Sequence, residues 1–281
     1  MADTSETTAA EIVAHISSGK VTAVSVVEAA LDRAERLKHL NAFIVLNRDG
    51  ALAAAREVDA GKRTGVLAGL PIVVKDNINT SNLPTSGGTP ALQHARPARN
   101  APSLQKLLDA GAVVIGKTNL HELAFGITST NLAPFAGPVR NPYDTNRIPG
   151  GSSGGAGSAV AAGIGHIAHG TDIAGSIRYP AYACGVHGLR PSLGRIPAFN
   201  AALPERPIGP QISAVSGPLA RTVNDLRVSL AAMSAPDYRD PWYAPVPLEG
   251  PRREKRVAMC PNPDGLDPVP EVVAAVADAG K

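Results

Sequence analysis

Three observations on the sequence predict an α/β fold, in which helices cover a central sheet. Between residues 67 and 196, short β-rich runs such as 71–74 and 112–115 alternate with helical stretches such as 103–110, and this alternation is typical of an α/β sheet. The first sixty or so residues have helical periodicity. Hydrophobic residues make up 44% of the 281-residue chain and charged residues 18%, so the chain can bury a sizeable core.

A helical layer is predicted for residues 1–65. Thr8 and Glu11 have the spacing of a capping box, in which each side chain accepts a hydrogen bond from the other residue's backbone N–H. Further along, apolar residues recur at helical spacing: Val26, Val27, Ala30, Leu31 and Ala34. We expect this layer to cover one face of the sheet.

The α/β core is expected in residues 66–200, and residues 201–281 are expected to begin a further region of a single domain that spans 1–281. In that region, 216–232 is predicted to be helical and 256–260 to be a strand, with proline-rich connections around them. The last helical stretch, 273–279, is followed by Gly280 at the expected C-cap position.

Two serines lie in separate glycine-dense turns, with no histidine fixed beside either one. Ser152 follows Gly150 and Gly151, and Ser176 ends the turn that begins at Asp172. Because glycine has no Cβ, such turns can present backbone N–H groups and let another group approach closely. The successive N–H groups before Ser176 have the geometry of an oxyanion hole. The pattern therefore indicates acyl transfer by a serine whose base is not histidine.

Lys75 is the candidate base, because it ends an apolar, strand-like run. A serine hydroxyl is a weak nucleophile until a base removes its proton. A solvated lysine titrates near about 10.4, and burial lowers this pKa by up to several units, so a buried Lys75 would be neutral near neutral pH. The alternative is that Lys75 is exposed after the strand and pairs with Asp76. The sequence leaves both interpretations open.

Two motifs compete with this interpretation. Residues 111–118 formally match the phosphate-loop pattern G-x-x-x-x-G-K-[ST], but Ala-Val-Val-Ile between the glycines favours a buried strand, and Lys117 is expected to be structural. His166, His169 and His187 would allow a Ser-His-Asp triad with Asp172. We expect His166 and His169 instead to be half-buried strand residues that hydrogen-bond the backbone.

Several longer motifs together resemble the amidase signature family, whose members use a Ser-Ser-Lys triad. They occur in the family's order and cover nearly the whole chain: VKDN at Lys75, GKTN at 116–119 with Glu122 following, NPYD at Asn141, PGGSSGG at Pro149 and GTDIAGSIRYPA at Gly170. The resemblance implies the amidase signature fold, with a mixed twisted sheet covered by helices on both faces.

The resemblance also implies a role for each matched residue. Ser176 would attack the amide carbonyl, and Ser152, held by a cis peptide bond after Gly151, would relay the proton to neutral Lys75. No metal and no organic cofactor would take part. The tetrahedral oxyanion would be received by N–H groups of the turn: Ile173, Ala174, Gly175 and the nucleophile itself.

Four further residues receive supporting roles. Asp172 and Arg178 flank the nucleophile turn, and we expect a buried ion pair that holds its shape, since an amide substrate has no obligatory anion. By resemblance, Gly126 and Thr128 would line the pocket wall.

The chain departs from the family in two respects. Ala174 stands where the family usually has a second glycine, and we expect a modest effect because the N–H donor remains. Family members are also considerably longer, so the chain is interpreted as a fragment or a shortened form that lacks the C-terminal part of the fold.

The implied function is hydrolysis of a carboxylic amide to an acid and ammonia or an amine. The stretch around 83–92 looks most like relatives acting on arylacetamides such as indoleacetamide or mandelamide. One alternative is the glutamine-hydrolysing component of a transfer-RNA amidotransferase, which would need partner subunits. Another is a non-catalytic remnant.

Other classes of protein are disfavoured by charge and composition. The formal net charge is only +3 and basic residues are scattered apart from 252–256, so no nucleic-acid partner is expected. Two cysteines, Cys184 and Cys260, cannot form a disulfide framework, and no signal segment or membrane-length apolar run is present. We expect a cytoplasmic protein with a small-molecule amide substrate, and a homodimer is one option for its assembly.

Overall fold

The computed structural model describes residues 7–199, 208–251, 254 and 256–281. The chain divides into two units, Met1–Val246 and Pro247–Lys281. Six strands in the described part of the first unit form one sheet: β1 (Phe43–Leu46), β2 (Pro71–Lys75), β3 (Val113–Thr118), β4 (Ile167–Asp172), β5 (His187–Gly188) and β6 (Val215–Ala220).

The sheet is mixed, with the order β1-β3-β2-β4-β6-β5. Strands β3, β2 and β4 are parallel to one another, whereas β1, β6 and β5 pair in the antiparallel sense. The register places Val74 beside His169, so that the carboxyl ends of β2 and β4 meet at one edge. In open α/β sheets, ligands bind beyond this edge.

Helices surround the sheet in the first unit, and one lies in the second. Their bounds are α1 (Ala9–Ser17), α2 (Ala23–Arg36), α3 (Arg48–Asp59), α4 (Pro102–Asp109), α5 (Gly154–Ala161), α6 (Arg178–Ala183), α7 (Ile208–Ser213), α8 (Val223–Met233) and α9 (Pro270–Ala279). None of the helices in the described ranges has both the length and the apolar character needed to cross a membrane.

Alternate residues of β2 pack into two hydrophobic cores, one on each face of the sheet. Val73 belongs to the core formed with α2, α3, α5 and α6. Ile72 and Val74 belong to the opposite core, to which α1, α4 and α8 contribute. Both faces are therefore covered, which is why the first halves of the parallel strands, at 71–74, 113–115 and 167–168, are apolar without alternation. This arrangement confirms the predicted fold class.

The N-terminal predictions are confirmed at the helices and incomplete at one strand. Thr8 and Glu11 form the capping box at the start of α1, with Thr8 N–H donating to Glu11 Oε2 at 2.8 Å. The five apolar residues predicted on one helical face are all buried on α2. However, β1 lies within the segment that was predicted to be helical, and it pairs with the edge of β3.

Two predictions after residue 213 are wrong. The first part of the predicted helix 216–232 is strand β6, which fills the space between β4 and β5, and only Val223–Met233 is helical. The predicted strand at 256–260 pairs with no strand in the described residues, and Val257 and Met259 are exposed. A strand needs a neighbour that accepts its backbone hydrogen bonds. The predicted helix before Gly280 is present as α9.

Candidate active site

Lys75, the last residue of β2, is completely buried. Its Nζ lies 2.7 Å from Ser152 Oγ and 3.0 Å from Thr171 Oγ1, within hydrogen-bonding distance of both. The alternative that Lys75 is exposed and pairs with Asp76 is therefore wrong. The carboxylate of Asp76 faces Lys117 instead, with 3.2 Å between Lys117 Nζ and Asp76 Oδ1.

Burial changes the protonation of Lys75. Loss of solvent around the ammonium lowers its pKa to about 7, and the negative charge of Asp172 only partly opposes this shift. Desolvation has this direction for any cation, because burial disfavours the charged form. A substantial fraction of Lys75 is therefore neutral near pH 7 and able to accept a proton.

Ser152 lies between β3 and α5 in a tightly packed turn. The peptide bond from Gly151 to Ser152 is cis. Its side chain is fully buried, and its carbonyl oxygen accepts hydrogen bonds from His121 N–H at 3.2 Å and Ser129 Oγ at 3.3 Å. The two hydrogen bonds to its carbonyl thus fix the backbone of Ser152, whose hydroxyl faces Lys75.

The turn between β4 and α6 is organised around the buried carboxylate of Asp172. It accepts hydrogen bonds from the backbone N–H groups of Gly175 at 2.8 Å and Ile177 at 3.0 Å. The Arg178 guanidinium adds Nε and Nη2 contacts at 3.1 and 3.0 Å. Burial raises the pKa of Asp172, but these hydrogen bonds outweigh burial and lower the pKa to about 2. The carboxylate is therefore a permanent anion at neutral pH.

The expected ion pair between Asp172 and Arg178 is present, but its burial is one-sided. The Asp172 side chain is inaccessible, whereas 54% of the Arg178 side chain is exposed. The expectation of a buried pair is therefore wrong for the arginine. The Asp172 carboxylate is therefore held from inside by backbone N–H donors and from the solvent side by the Arg178 guanidinium.

Ser176 lies half-buried in this turn, two residues before α6. Its carbonyl oxygen accepts a hydrogen bond from Ser153 N–H at 3.2 Å, which joins the turn to the segment that carries Ser152. Among the described residues, the Ser176 hydroxyl makes no hydrogen bond. The structure thus brings Lys75 and Ser152 into contact and the Ser176 turn alongside them.

The predicted oxyanion donors differ in availability. Gly175 N–H donates to Asp172 and is therefore committed to the turn, whereas Ile173 and Ala174 N–H make no turn hydrogen bond in the described part of the chain. Gly175 adopts φ +115°, a value that favours glycine. Ala174 has no positive φ, so the backbone there accepts alanine in place of the family's glycine.

Gly126 and Thr128, predicted to line the pocket, lie in the segment after β3 that packs on the Gly151–Ser152 peptide. A Cβ built on Gly151 would lie 2.7 Å from Ile127 C and 2.9 Å from Thr128 N. The backbone of Thr128 therefore lies beside the Gly151–Ser152 peptide, whereas Gly126 lies against the His121 ring.

The geometry of His169 contradicts the histidine interpretation at that residue. His166 and His169 are buried rather than half-buried, and His169 Nε2 lies 3.2 Å from the Ser103 hydroxyl, not from a backbone group. Burial, with a smaller contribution from the charge of Lys117, lowers the pKa of His169 to about 3. His169 shares no hydrogen bond with Ser152 or Ser176 in the described residues.

Lys117 is structural in position, and the phosphate-loop match is a strand. Residues Val113–Thr118 form β3, as the apolar residues between the glycines predicted. Lys117 Nζ is buried and donates to Ile78 O at 2.9 Å and Thr85 Oγ1 at 2.8 Å. A phosphate cannot reach it in this arrangement.

Thr171 contacts Lys75 and was not singled out from the sequence. Its hydroxyl contacts Lys75 Nζ and also accepts a hydrogen bond from Asn77 Nδ2 at 3.0 Å. Thr171 and Asn77 also line a cavity of about 340 Å³. The two predicted serines are not among its described lining residues. No local pattern marks Thr171, because its contact depends on the pairing of β2 with β4.

The chain belongs to the Amidase family, whose family model matches residues 25–281. It is 45% identical over 276 residues to indoleacetamide hydrolase of Bradyrhizobium diazoefficiens, covering 95% of this chain and 52% of that protein. A second relative is a component of the glutamyl-tRNA(Gln) amidotransferase of Acidothermus cellulolyticus. The identity to it is 42% over 259 residues, covering 88% of this chain and 49% of that protein.

Solved structures give the same assignment. The native peptide amidase of Stenotrophomonas maltophilia matches with a TM-score of 0.77 and 37% identity, covering 88% of this chain and 52% of that one. A bacterial aryl acylamidase of the amidase signature family matches with a TM-score of 0.80 and 34% identity, covering 86% and 50%. The chain thus spans about half the length of the relatives it matches.

Proposed function

We propose that the chain hydrolyses a linear carboxylic amide to the acid and ammonia or an amine, through an acyl-enzyme on Ser176. The observation that carries the proposal is the buried contact of 2.7 Å between Lys75 Nζ and Ser152 Oγ. A neutral lysine in contact with a serine hydroxyl can accept a proton through it. Ser176 is the proposed nucleophile because its glycine-containing turn is joined to this segment by the hydrogen bond from Ser153 N–H to Ser176 O at 3.2 Å.

The proposed reaction has two halves. In acylation, Ser176 Oγ attacks the amide carbon while its proton passes to Ser152 and the Ser152 proton passes to Lys75. The tetrahedral oxyanion is received by the free N–H groups of Ile173 and Ala174. The Lys75 ammonium then returns a proton through Ser152 to the leaving nitrogen as the C–N bond breaks. Water attacks the acyl-enzyme by the same proton route and releases the acid.

We infer that the acyl group is apolar. Three large apolar side chains near the proposed site are exposed: Phe125 at 84%, Ile127 at 60% and Ile173 at 45%. Such residues favour an arylacetamide over glutamine, since water around an apolar surface is displaced by an apolar ligand. The relative that hydrolyses indoleacetamide supports the same choice. Glutamine hydrolysis, favoured by the identity to the amidotransferase relative, is the second candidate.

The proposal is tested by treating the purified chain with a fluorophosphonate and locating the adduct by mass spectrometry. The matched controls are Ser176→Ala and Ser153→Ala, because Ser153 neighbours the relay serine and its hydroxyl bonds only to Thr171 O at 3.3 Å in the described residues. We expect an adduct on Ser176 in the parent chain and in Ser153→Ala, and none in Ser176→Ala.

Turnover is then measured by the release of acid from indoleacetamide, mandelamide and glutamine. Labelling at Ser176 with faster turnover of the aryl amides supports the proposal. Labelling at Ser176 together with faster turnover of glutamine would support the second candidate function, glutamine hydrolysis. A folded chain that is not labelled would contradict the proposed function and favour a non-catalytic remnant.

A further inference from the structure

The segment that follows β3 holds the carbonyl of Ser152 at two points. His121 N–H donates to Ser152 O at 3.2 Å, and Ser129 Oγ donates to the same oxygen at 3.3 Å. Ser129 Oγ also accepts a hydrogen bond from Gly154 N–H at 3.0 Å, at the start of α5. The position of the relay serine therefore depends on the conformation of residues 121–129.

The His121 side chain ties the two ends of this segment together. Its Nδ1 lies 3.2 Å from Thr128 Oγ1, and Thr128 Oγ1 in turn lies 3.3 Å from Thr130 N. Because the hydroxyl already accepts from Thr130 N–H, its own hydrogen is available for the ring nitrogen. The imidazole thus links two residues that lie seven positions apart, and it closes the segment into a loop by a side-chain hydrogen bond.

The same ring lies against Gly126. It occupies the space that a Cβ at this position would need, so only glycine allows the ring to approach. On the other side of the segment, the backbone at Ile127 and Ser129 lies against Gly151, whose built Cβ would be 2.7 and 2.8 Å from Ile127 C and Ser129 N. Contact therefore runs from the imidazole through the segment to the peptide bond of Ser152.

The backbone conformation of residues 121–129 explains why the segment needs contacts such as those of His121. Leu123, Ala124 and Ser129 have positive φ values of 52°, 63° and 54°. Left-handed conformations cost non-glycine residues on the order of 1–3 kcal/mol each and persist only where surrounding contacts hold them. Leu123, Phe125 and Ile127 are exposed, so their side chains supply little packing. The contacts that hold the segment are the ring of His121, the two hydrogen bonds of the buried Ser129 hydroxyl and the backbone hydrogen bonds beside them.

We propose that His121 is a positioning residue that, by holding residues 125–128 against the Gly151–Ser152 peptide, sets both the orientation of the Ser152 hydroxyl and the position of Gly126 and Thr128, which are predicted to line the pocket. This inference rests on the proposed function. His121 does not touch the reacting atoms; it acts through the segment. Two consequences follow: altering it changes the reactivity of Ser176, and it changes the fit of the acyl group.

The test compares His121→Ala, His121→Asn and Thr128→Val in the full chain, with His94→Ala as the control because His94 is exposed and lies outside this segment. Three quantities are measured: the rate constant for fluorophosphonate labelling of Ser176, kcat and KM for indoleacetamide, and the melting temperature. Asparagine carries a polar atom close to the position of Nδ1, so it is the conservative replacement.

We expect His121→Ala and Thr128→Val each to lower the labelling rate constant about tenfold, which corresponds to the loss of roughly one hydrogen bond. Both variants remove the contact between His121 and Thr128, and Thr128→Val also removes the acceptor of Thr130 N–H. A double variant, His121→Ala/Thr128→Val, is therefore expected to be no slower than Thr128→Val. KM is expected to rise in both, His121→Asn to recover part of the labelling rate, and His94→Ala to match the parent chain.

Labelling at the parental rate in both His121→Ala and Thr128→Val would overturn the inference, as would effects that add in the double variant or that merely follow the melting temperature. Should His121→Ala fail to fold, Thr128→Val and His121→Asn decide the question alone. Absence of labelling in the parent chain contradicts the proposed function and this inference with it, whereas a labelled parent with unaffected variants contradicts only the role of His121.

Discussion

Lys75 Nζ and Ser152 Oγ lie 2.7 Å apart, and both side chains are fully buried. Burial lowers the pKa of Lys75 to about 7, so protonation of the lysine removes the base as the pH falls below this value. We therefore expect the labelling rate of Ser176 to be low at about pH 5.5, where Lys75 is protonated. The rate should rise through about pH 7 and level off at higher pH. A profile without this rise would contradict Lys75 as the base.

Replacing Lys75 tests whether this lysine causes the pH dependence of labelling. Lys75→Met keeps the length and apolar stem of the side chain but has no titrating group, and a buried thioether packs without a hydrogen-bond requirement. We expect turnover to fall by about 10²–10⁴-fold, the usual contribution of a general base, and the rise near pH 7 to disappear. A variant with the parental profile would assign the rise to another group.

Asp172 and Arg178 are expected to differ in importance. Asp172→Asn removes an acceptor from a set of buried backbone donors, and leaving such donors unpaired costs about 1–3 kcal/mol each. We expect a loss of about 3 kcal/mol in the free energy of unfolding, measured with urea, and no labelling of Ser176. Arg178→Ala leaves the backbone donors in place, and its expected loss in the free energy of unfolding is smaller. A larger loss for Arg178→Ala would contradict this ranking.

Gly175 is predicted to need glycine for its backbone rather than for space. A Cβ there would meet nothing within 4 Å, and its φ is +115°. Gly175→Ala should therefore cost about 1–3 kcal/mol through strain alone and slow labelling, because the neighbouring N–H groups shift. Gly19→Ala is the matched control, since Gly19 has φ +72° and equal space. Gly19→Ala should be destabilised less, because φ +72° lies near the left-handed region that alanine can adopt, and it should label normally. Equal labelling of both variants would contradict a role for the turn.

The parts of the fold that the sequence predicted are those with a strong local pattern. β2 is buried on both faces, so its residues before Lys75 form an unbroken apolar run. β6 was missed because Gly217 and Pro218 interrupt its pattern, and proline is uncommon inside a sheet. Pro218 is tolerated there because its carbonyl still accepts a hydrogen bond from Leu189 N–H at 3.1 Å.

The sequence pattern singled out residues that the structure brings near one another, but it did not predict their hydrogen bonds. Glycine-rich turns and an apolar run that ends in lysine indicated Lys75, Ser152 and Ser176. The hydrogen bond from Gly175 N–H to Asp172 was not predictable, because the sequence does not show which way each backbone N–H group of the turn points. The contact of Thr171 with Lys75 depends on strand register, which is set by pairing across 96 residues of chain.

Lys117 and Asp76 provide a test of the support beneath the proposed site. Their side chains are 0% and 1% exposed, and 3.2 Å separates Lys117 Nζ from Asp76 Oδ1. Asp76 follows Lys75 directly, and its Oδ2 accepts from Ser86 N–H at 3.0 Å. Burial lowers the pKa of Lys117 to about 8, although Asp76 opposes the shift. The pair thus fixes the chain immediately after Lys75.

We expect Lys117→Met to lower the free energy of unfolding by about 3–5 kcal/mol, because it leaves a buried carboxylate without its cation. The double variant Lys117→Met/Asp76→Asn removes both charges, and it should recover part of that loss. Urea denaturation followed by circular dichroism measures both values. A double variant no more stable than Lys117→Met would show that the hydrogen bonds of Lys117 to the carbonyls of Ile78 and Pro84, rather than the ion pair, hold this segment in place.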